Sequence, residues 1–374
     1  MSLLQQPTRR RATFHDLTVS RVDRLTDDAV AVSFAVPPEL AGEFLSFEPG
    51  QHLTIRAEID GQDVRRSYSC CISRAQARAR GEVRVASARV PGGLMSTWLN
   101  EHVGVGDVLQ VMTPTGSFTR AVEPTAAKHH VGIAAGSGIT PVLSILTTVL
   151  EEEPASRVTL VLGNRRTDSI MFLEELMDLK NRYPGRLTLL NVLSREIQDV
   201  PLLTGRIDRD KLEELMATFT PEDEVDEWYL CGPFGLVGTA QAVLAERGVD
   251  PQHVHHEIFH VDDAGSPVTQ ARALPVDPTA PPEAVVTVTL DGRTTTVPMP
   301  TRAESILDAT LRERPDAPFS CTGGVCGTCR AKVVAGEVRM ERNYALEEDE
   351  VGRGYRLMCQ SHPVSDTVEI DYDA

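Results

Sequence analysis

The chain is short of positive charge. Its 374 residues carry 37 Lys and Arg against 54 Asp and Glu, a net charge of −17. Nucleic-acid backbones need basic patches, so this balance argues against nucleic acid as a main partner. No DNA-binding helix is recognisable that would suit a redox sensor. A disulfide framework is also missing. Of the seven cysteines, Cys70 and Cys71 are adjacent and Cys231 stands far from both, which fits a reducing cytoplasm. The opening M-S-L-L-Q-Q-P-T-R-R-R lacks an apolar core after a basic start, so no secretory signal is expected. The uncharged run from Val131 to Leu150 is broken by Gly-Ser-Gly and Thr-Pro. A buried strand, a turn and a buried helix are expected there rather than a membrane span. No internal repeat is present, and the length suggests two or three domains.

The remaining four cysteines form the strongest pattern. Cys321, Cys326 and Cys329 lie within S-C-T-G-G-V-C-G-T-C-R, and Cys359 follows thirty residues on. C-x4-C-x2-C…C is the spacing of a plant-type [2Fe–2S] site. Three thiolates within nine residues demand a tight loop. Gly323, Gly324 and Gly327 are expected to supply it by taking positive φ and turning amides towards sulfur. A zinc site would use paired short knuckles, and Cys359 has no nearby partner for one.

Residues 12–124 read as short strands, among them Phe14–Val22, Ala29–Val36, His52–Ile59 and Val83–Arg89, separated by Gly, Pro and Asp-Gly turns. That texture predicts a small antiparallel barrel, with one short helix near Gly93–His102. From His129 strands and helices alternate, which predicts a parallel sheet with crossovers. The Pro-rich stretch 262–282 has no periodicity and reads as a linker, with a coil reach on the order of 25 Å. Residues 283–374 open with a hairpin at Asp291-Gly292, then a helix at Ser305–Arg312, the cysteine loop and a closing strand.

Several motifs point to nucleotides. Arg66, Tyr68 and Ser69 present a guanidinium for a diphosphate, a ring to stack and a hydroxyl for a ring nitrogen. The same residues also suit an amphipathic strand with snorkelling arginines. Gly92-Gly93 opens a helix with Ser96 near its start, a place where diphosphate binds. Gly136-Ser137-Gly138-Ile139-Thr140-Pro141 stands between the first parallel strand and its helix, where α/β sheets bind nucleotides, although it is not G-x-G-x-x-G. The next two strands end in Arg165-Arg166 and Ser194-Arg195. Arginines where an acidic residue would read ribose hydroxyls favour a 2′-phosphate, hence NADPH. Cys231-Gly232-Pro233 closes a later strand. His256-Glu257-Ile258-Phe259-His260 spells H-E-x-x-H, but a zinc protease needs it on a helix, and this stretch reads as a strand.

R-S-Y-S (66–69), G-L-M-S (93–96), G-S-G-I-T-P (136–141), C-G-P (231–233) and the cysteine quartet, in this order, resemble the ferredoxin–NADP reductase family with a C-terminal [2Fe–2S] domain. F-H-D-L-T-V (14–19), P-G-Q-H-L (49–53), G-N-R (163–165), G-R-I-D (205–208), S-I-L-D-A (305–309), A-P-F-S-C (317–321) and N-Y-A-L-E (343–347) are similar to members that serve multicomponent oxygenases. The resemblance implies a multidomain chain: an antiparallel β-barrel flavin domain at 12–124, an α/β parallel-sheet nucleotide domain at 125–261, the linker, and a β-grasp α+β ferredoxin domain at 283–374. It implies FAD, NADPH and a [2Fe–2S] cluster as cofactors. Arg66, Tyr68, Ser69, Gly93 and Ser96 would hold FAD. Gly136, Gly138, Thr140, Pro141, Arg165, Arg166, Ser194, Arg195, Cys231, Gly232 and Pro233 would hold the nicotinamide nucleotide. Ser69, Cys231 and Glu257 would flank the hydride path, and Cys321, Cys326, Cys329 and Cys359 would hold iron. Leu94-Met95 departs from the usual polar spacing of the family. The implied partner is the oxygenase component of a multicomponent oxygenase, met by a cytoplasmic monomer or weak oligomer with no membrane association. The acidic run Glu347–Glu350 is either a guide for a basic partner or a solvated loop.

Overall fold

The computed structural model describes residues 13–119, 121–260 and 281–374. Apart from its last two positions, the expected linker at 262–282 lies outside them. From residue 16 onward the described residues fall into two compact units, one within 16–260 and one within 281–374.

The first unit opens with β1 (Phe14–Thr26), β2 (Ala29–Ala35), α1 (Ala41–Phe44), β3 (His52–Ile59), β4 (Gln62–Ser69), α2 (Arg74–Arg80), β5 (Glu82–Ala88), α3 (Leu94–Glu101) and β6 (Val108–Met112). The strands form one sheet in the order β4-β3-β6-β1-β2-β5. A bridge between Cys70 and Val85 brings its two edges together, so the sheet curls into a barrel and hides both edges. Alternate residues such as Leu17, Val32, Phe34, Leu53, Ile55 and Val85 fill the interior. Each such side chain, fully buried, contributes about 1.5–3 kcal/mol. Helix α2 has no counterpart among the elements expected from the sequence. Ser73 caps it by accepting from Gln76 N–H, and Gly81 ends it in the left-handed region, a cap at each end.

The chain continues with β7 (His129–Ala135), α4 (Ile139–Glu152), β8 (Arg157–Asn164), α5 (Leu173–Arg182), β9 (Leu187–Leu193), α6 (Arg209–Phe219), β10 (Glu227–Pro233), α7 (Phe234–Glu246) and β11 (Val254–His260). All neighbouring pairs are parallel, in the order β11-β10-β7-β8-β9. The order reverses between β7 and β10, and such switch points bind ligands at the carboxyl ends of the strands. The uncharged run Val131–Leu150 resolves into β7, a tight turn and α4. Every residue of α4 from Ile139 to Leu150 is buried. At 14 residues the helix is about 21 Å long. Among the described residues no helix is long and apolar enough to cross a membrane. One face of α4 packs on the parallel sheet. Another joins Ala29, Ala31, Cys71 and Ala86 of the barrel in a shared core. Two of its buried hydroxyls are satisfied: Ser144 donates to Ile72 O at 2.7 Å and Thr148 to Ser144 O at 2.8 Å.

The second unit contains β12 (Ala284–Leu290), β13 (Arg293–Met299), α8 (Ile306–Glu313), β14 (Arg330–Ala335), β15 (Val338–Met340), α9 (Glu348–Gly352), β16 (Tyr355–Leu357), β17 (Ser361–Pro363) and β18 (Thr367–Asp371). The main sheet runs β13-β12-β18-β14-β16. The central pair β12 and β18 is parallel, while β12–β13, β14–β16 and β14–β18 are antiparallel. Asp291 and Gly292 both take positive φ in the first hairpin turn, the geometry that matches strand twist. Helix α8 packs beside β13 and carries Ile306, Leu307, Ala309 and Thr310 into the core. This is the β-grasp arrangement. The acidic run 347–350 forms the cap and first turn of α9, where Glu350 pairs with Arg330 at 3.1 Å and Asp349 with Arg353 at 2.8 Å.

Candidate functional site

Asp60 and Gly61, both with positive φ, fold β3 directly back onto β4. The register places Leu53 opposite Tyr68 and Ile55 opposite Arg66. The Arg-x-Tyr-Ser motif therefore lies inside β4. Strand alternation puts Arg66 and Tyr68 on one face and turns Ser69 to the other. Burial, offset in part by a hydrogen bond to Ser87 and by Arg66, raises the Tyr68 phenol to about 12, so it stays neutral. The Arg66 guanidinium folds onto the carbonyl of Arg65 at 2.7 Å.

The glycine turn before α3 is tied by one hydroxyl. Ser96 Oγ accepts from Val90 N–H at 3.1 Å and donates to Gly93 O at 3.3 Å. Gly93, the N-cap, has no side chain to bond the first amides of α3. Those amides remain available to an anion such as diphosphate.

At the switch point, β7 ends in a tight turn at Gly136–Gly138. Thr140 and Pro141 are buried in the first turn of α4, and the Thr140 hydroxyl turns back to Ser137 O at 3.0 Å. The loop thus offers a ligand its backbone at 136–138, not these two side chains. Gly138 lies against β10 so closely that a Cβ there would meet Cys231 O at 2.3 Å. Cys231 and Glu257 are register partners on β10 and β11. Burial, and after it the Glu257 carboxylate, pushes the Cys231 thiol well up, so it is a neutral thiol at any ordinary pH. Ser69 Oγ donates to Glu257 Oε2 at 3.3 Å. Three residues far apart in sequence, Ser69, Cys231 and Glu257, are thereby brought together where the barrel meets the edge of the parallel sheet.

His256 and Glu257 lie on a strand, not a helix, so the H-E-x-x-H spelling lacks the geometry of a zinc protease. Among the described residues no group of three or more metal-binding side chains surrounds a single ion position.

The arginines predicted for the phosphate end stand on adjacent loops after β8 and β9. Ser194 N donates to Asn164 O at 2.9 Å and Arg195 N to Arg165 O at 2.8 Å. Arg165, Arg166, Ser194 and Arg195 are all exposed. Nothing in the sequence signals the part played by Glu196. Its two oxygens accept from Thr167 N at 2.9 Å and Thr167 Oγ1 at 2.7 Å, and these bonds hold its carboxyl below the usual range. This carboxylate, beside Arg195 in the chain, is committed to joining the loops. The other nearby acid, the exposed Asp168, stands 3.8 Å from Arg166.

In the second unit the four thiols pair two and two. Cys321 Sγ accepts from Val325 N and Cys326 N at 3.4 Å each, and Cys326 Sγ from Cys321 N at 3.5 Å. The Cys326 thiol is hydrogen-bonded to Cys321, which lowers Cys321 to about 7 and raises Cys326 well above its ordinary value. Cys329 is hydrogen-bonded to Cys359 and is raised likewise. A single ion needs its ligands around one point, whereas a dinuclear cluster takes two thiolates per iron, and the donor set fits the latter. The loop turns through Gly324 and Gly327 at positive φ, but Gly323 is not left-handed; Thr322 is, at 53°. That conformation is costly for a β-branched residue. Gln360 holds it by donating to Thr322 O at 2.8 Å, a role that adjacency to Cys359 alone would not reveal.

Comparison with known proteins agrees with this layout. The family model "Oxidoreductase FAD-binding domain" matches residues 16–119, "Oxidoreductase NAD-binding domain" 133–242, and "2Fe-2S iron-sulfur cluster binding domain" 288–364. The chain is 43% identical over 362 residues to one of the subunits of the 1,2-phenylacetyl-CoA epoxidase of Escherichia coli K12, covering 97% of this chain and 98% of the relative. It is 36% identical over 364 residues to the ferredoxin reductase component of 3-ketosteroid-9-alpha-monooxygenase of Mycobacterium tuberculosis H37Rv, covering 96% of each. Among solved structures, phthalate dioxygenase reductase superposes with a TM-score of 0.59 at 22% identity, over 96% of this chain and 98% of that one.

Proposed function

Because the chain belongs to the ferredoxin–NADP reductase-like family in which FAD- and NAD-binding domains are joined to a 2Fe-2S domain, we propose that it is the NADPH-dependent reductase component of a multicomponent oxygenase, its partner being a phenylacetyl-CoA epoxidase. The identity to the Escherichia coli protein supports that partner. A 3-ketosteroid hydroxylase, named by relatives with lower identity, is the second choice. All seven cysteines are free of disulfides, in keeping with a cytoplasmic location.

The observation that carries this reading is the contact of Ser69 with Glu257 beside Cys231. It supports the reading because it joins the β4 residue assigned to the flavin ring to the strand ends assigned to the nicotinamide. FAD supplies the ability to take two electrons as a hydride and release them singly, and the cluster carries one at a time. The protein's own part is positioning. Arg66 and the α3 amides bind diphosphate, and Tyr68 covers a ring face. Ser69 would hold its oxygen beside a flavin ring nitrogen as an acceptor, because its own proton is donated to Glu257. The neutral Cys231 packs against the nicotinamide, and Glu257 orients Ser69 and fixes its proton. Gly136–Gly138 and Gly232-Pro233 let the nucleotide approach the backbone. The thiols of Cys321 and Cys326 would hold one iron, and those of Cys329 and Cys359 the other.

Mixing the purified protein anaerobically with NADPH in a stopped-flow instrument tests the reading. Flavin absorbance at its long-wavelength band falls first and cluster absorbance second, with slow turnover on oxygen alone. Cluster bleaching that precedes or lacks flavin bleaching overturns it.

For the nucleotide, Arg165, Arg166 and Arg195 favour a 2′-phosphate, since the neighbouring Glu196 is tied to Thr167. The double change Arg166→Ala with Arg195→Ala raises KM for NADPH about 10- to 100-fold, as loss of charge-assisted phosphate contacts does, and leaves KM for NADH within about twofold. Equal losses for both nucleotides would show that these side chains do not read the phosphate.

A further inference from the structure

The two thiol pairs are served unequally. Cys321 and Cys326 receive three backbone amides, and Thr328 Oγ1 lies 3.2 Å from Cys326 Sγ. Among the described residues no amide or hydroxyl donates to the sulfurs of Cys329 or Cys359. Hydrogen bonds to cluster sulfurs stabilise the reduced, more negative state and raise its potential. By this count the Cys321–Cys326 side is the more easily reduced.

One group is placed to offset that inequality. Tyr372 directly follows β18, and its amide is anchored to Thr289 O at 3.0 Å. Its ring packs against the core that contains Cys329 and Cys359. Its hydroxyl is buried and has no hydrogen-bond partner in this structure. A buried phenol usually finds a partner. In the antiparallel register of β14 and β18 Lys332 pairs with Asp371, so Tyr372, the next residue, stands at the end of β14 that leads back to Cys329. Its hydroxyl therefore has a hydrogen to donate on the Cys329 side of this core.

We propose that Tyr372 tunes the cluster by donating its hydroxyl proton as a hydrogen bond to sulfur on the Cys329–Cys359 side when iron and sulfide fill the site. It is a positioning residue and not a ligand. This inference rests on the cluster reading. Failure of that reading shows separately, as wild-type protein without iron or acid-labile sulfide.

The test is Tyr372→Phe in the full chain, which keeps the ring and removes only the hydroxyl. An anaerobic redox titration followed by electron paramagnetic resonance reads the cluster. The variant cluster is about tenfold harder to reduce relative to the flavin, equal to about 59 mV for one electron, while the flavin potential and the iron content stay unchanged. A second measurement needs no variant. Wild-type protein exchanged into D2O shifts an Fe–S(Cys) stretching band in the resonance Raman spectrum, because the donated proton is exchangeable. An unchanged cluster potential in Tyr372→Phe overturns the proposal and leaves the hydroxyl a packing group, whatever happens to the melting temperature. If Tyr372→Phe fails to load iron, the Raman shift decides: its absence from wild-type bands assigned to Cys329 and Cys359 also overturns the proposal.

Discussion

Replacing Cys359 with alanine leaves a yellow protein that NADPH still reduces but that passes electrons to a one-electron acceptor on the order of 10²-fold more slowly, or not at all. On the proposed ligand set each iron takes two thiolates, and removing Cys359 leaves Cys329 as the lone protein ligand to its iron. Even loss of an outer-shell partner typically costs a metal site 10- to 100-fold, and loss of a ligand costs more. Metal binding is folding energy for a site of this kind, so the variant's second unit also melts earlier. The residues proposed for hydride transfer lie in the other compact unit, 16–260. The rate of flavin reduction is therefore expected to stay within about twofold of wild type. Iron and acid-labile sulfide analysis, with stopped-flow absorbance in the flavin band, checks both halves. Full iron content in the variant would remove Cys359 from the ligand set.

Gly138→Ala gives the largest loss in the first unit. The new methyl would sit 2.3 Å from Cys231 O, 2.6 Å from Cys231 C and 2.8 Å from Gly232 N. All three obstacles are backbone atoms, so no side chain can swing aside. Either the turn lifts off β10 or β10 moves, and each displaces the loop that receives the nucleotide. Overpacking of this severity costs at least about 3 kcal/mol, and a misplacement near 1 Å costs about 10²-fold in a positioned reaction. Gly136→Ala is the control. Its φ is 54°, but nothing lies within 4 Å of its added Cβ. It bears only the left-handed backbone cost of about 1–2 kcal/mol. Thermal unfolding ranks the two variants, and flavin reduction by NADPH reads the loop. Equal behaviour of both would mean that crowding against Cys231 is not what fixes Gly138.

Much of this is legible in the sequence because the informative signals are local. The Cys321–Cys329 spacing fits within one loop and needs no tertiary knowledge. The alternation after His129 predicts a parallel sheet, and its short connections leave few topologies to consider. Asp291-Gly292 declares its own hairpin. What stays hidden depends on pairs distant in sequence or on small departures from propensity. Ser69 and Glu257 are 188 positions apart, and no periodicity links them. Helix α2, R-A-Q-A-R-A-R, is too short for a periodic signal, and only its Ser73 and Gly81 caps could announce it. The charges of Arg65 and Arg66 hide from the sequence how deep in the barrel this strand lies, and β4 tolerates the first of them by pairing Arg65 with Asp63 at 3.1 Å. Thr322 holds a conformation its residue type disfavours, and only Gln360, on the far side of the loop, explains why. Glu196 reads as an ordinary acidic residue until Thr167 is found to occupy it.

The burial of α4 on both flanks has a consequence for how this protein can be divided. A helix with twelve successive hidden residues has no wet side, so the barrel and the parallel sheet share a wall rather than touching across one. Cutting the gene between residues 119 and 129 would strip that wall bare on whichever fragment kept the helix. Such pieces would clump in the test tube. A severance made beyond residue 260, by contrast, crosses no common core within the first unit and should release a flavin-bearing fragment that still accepts hydride.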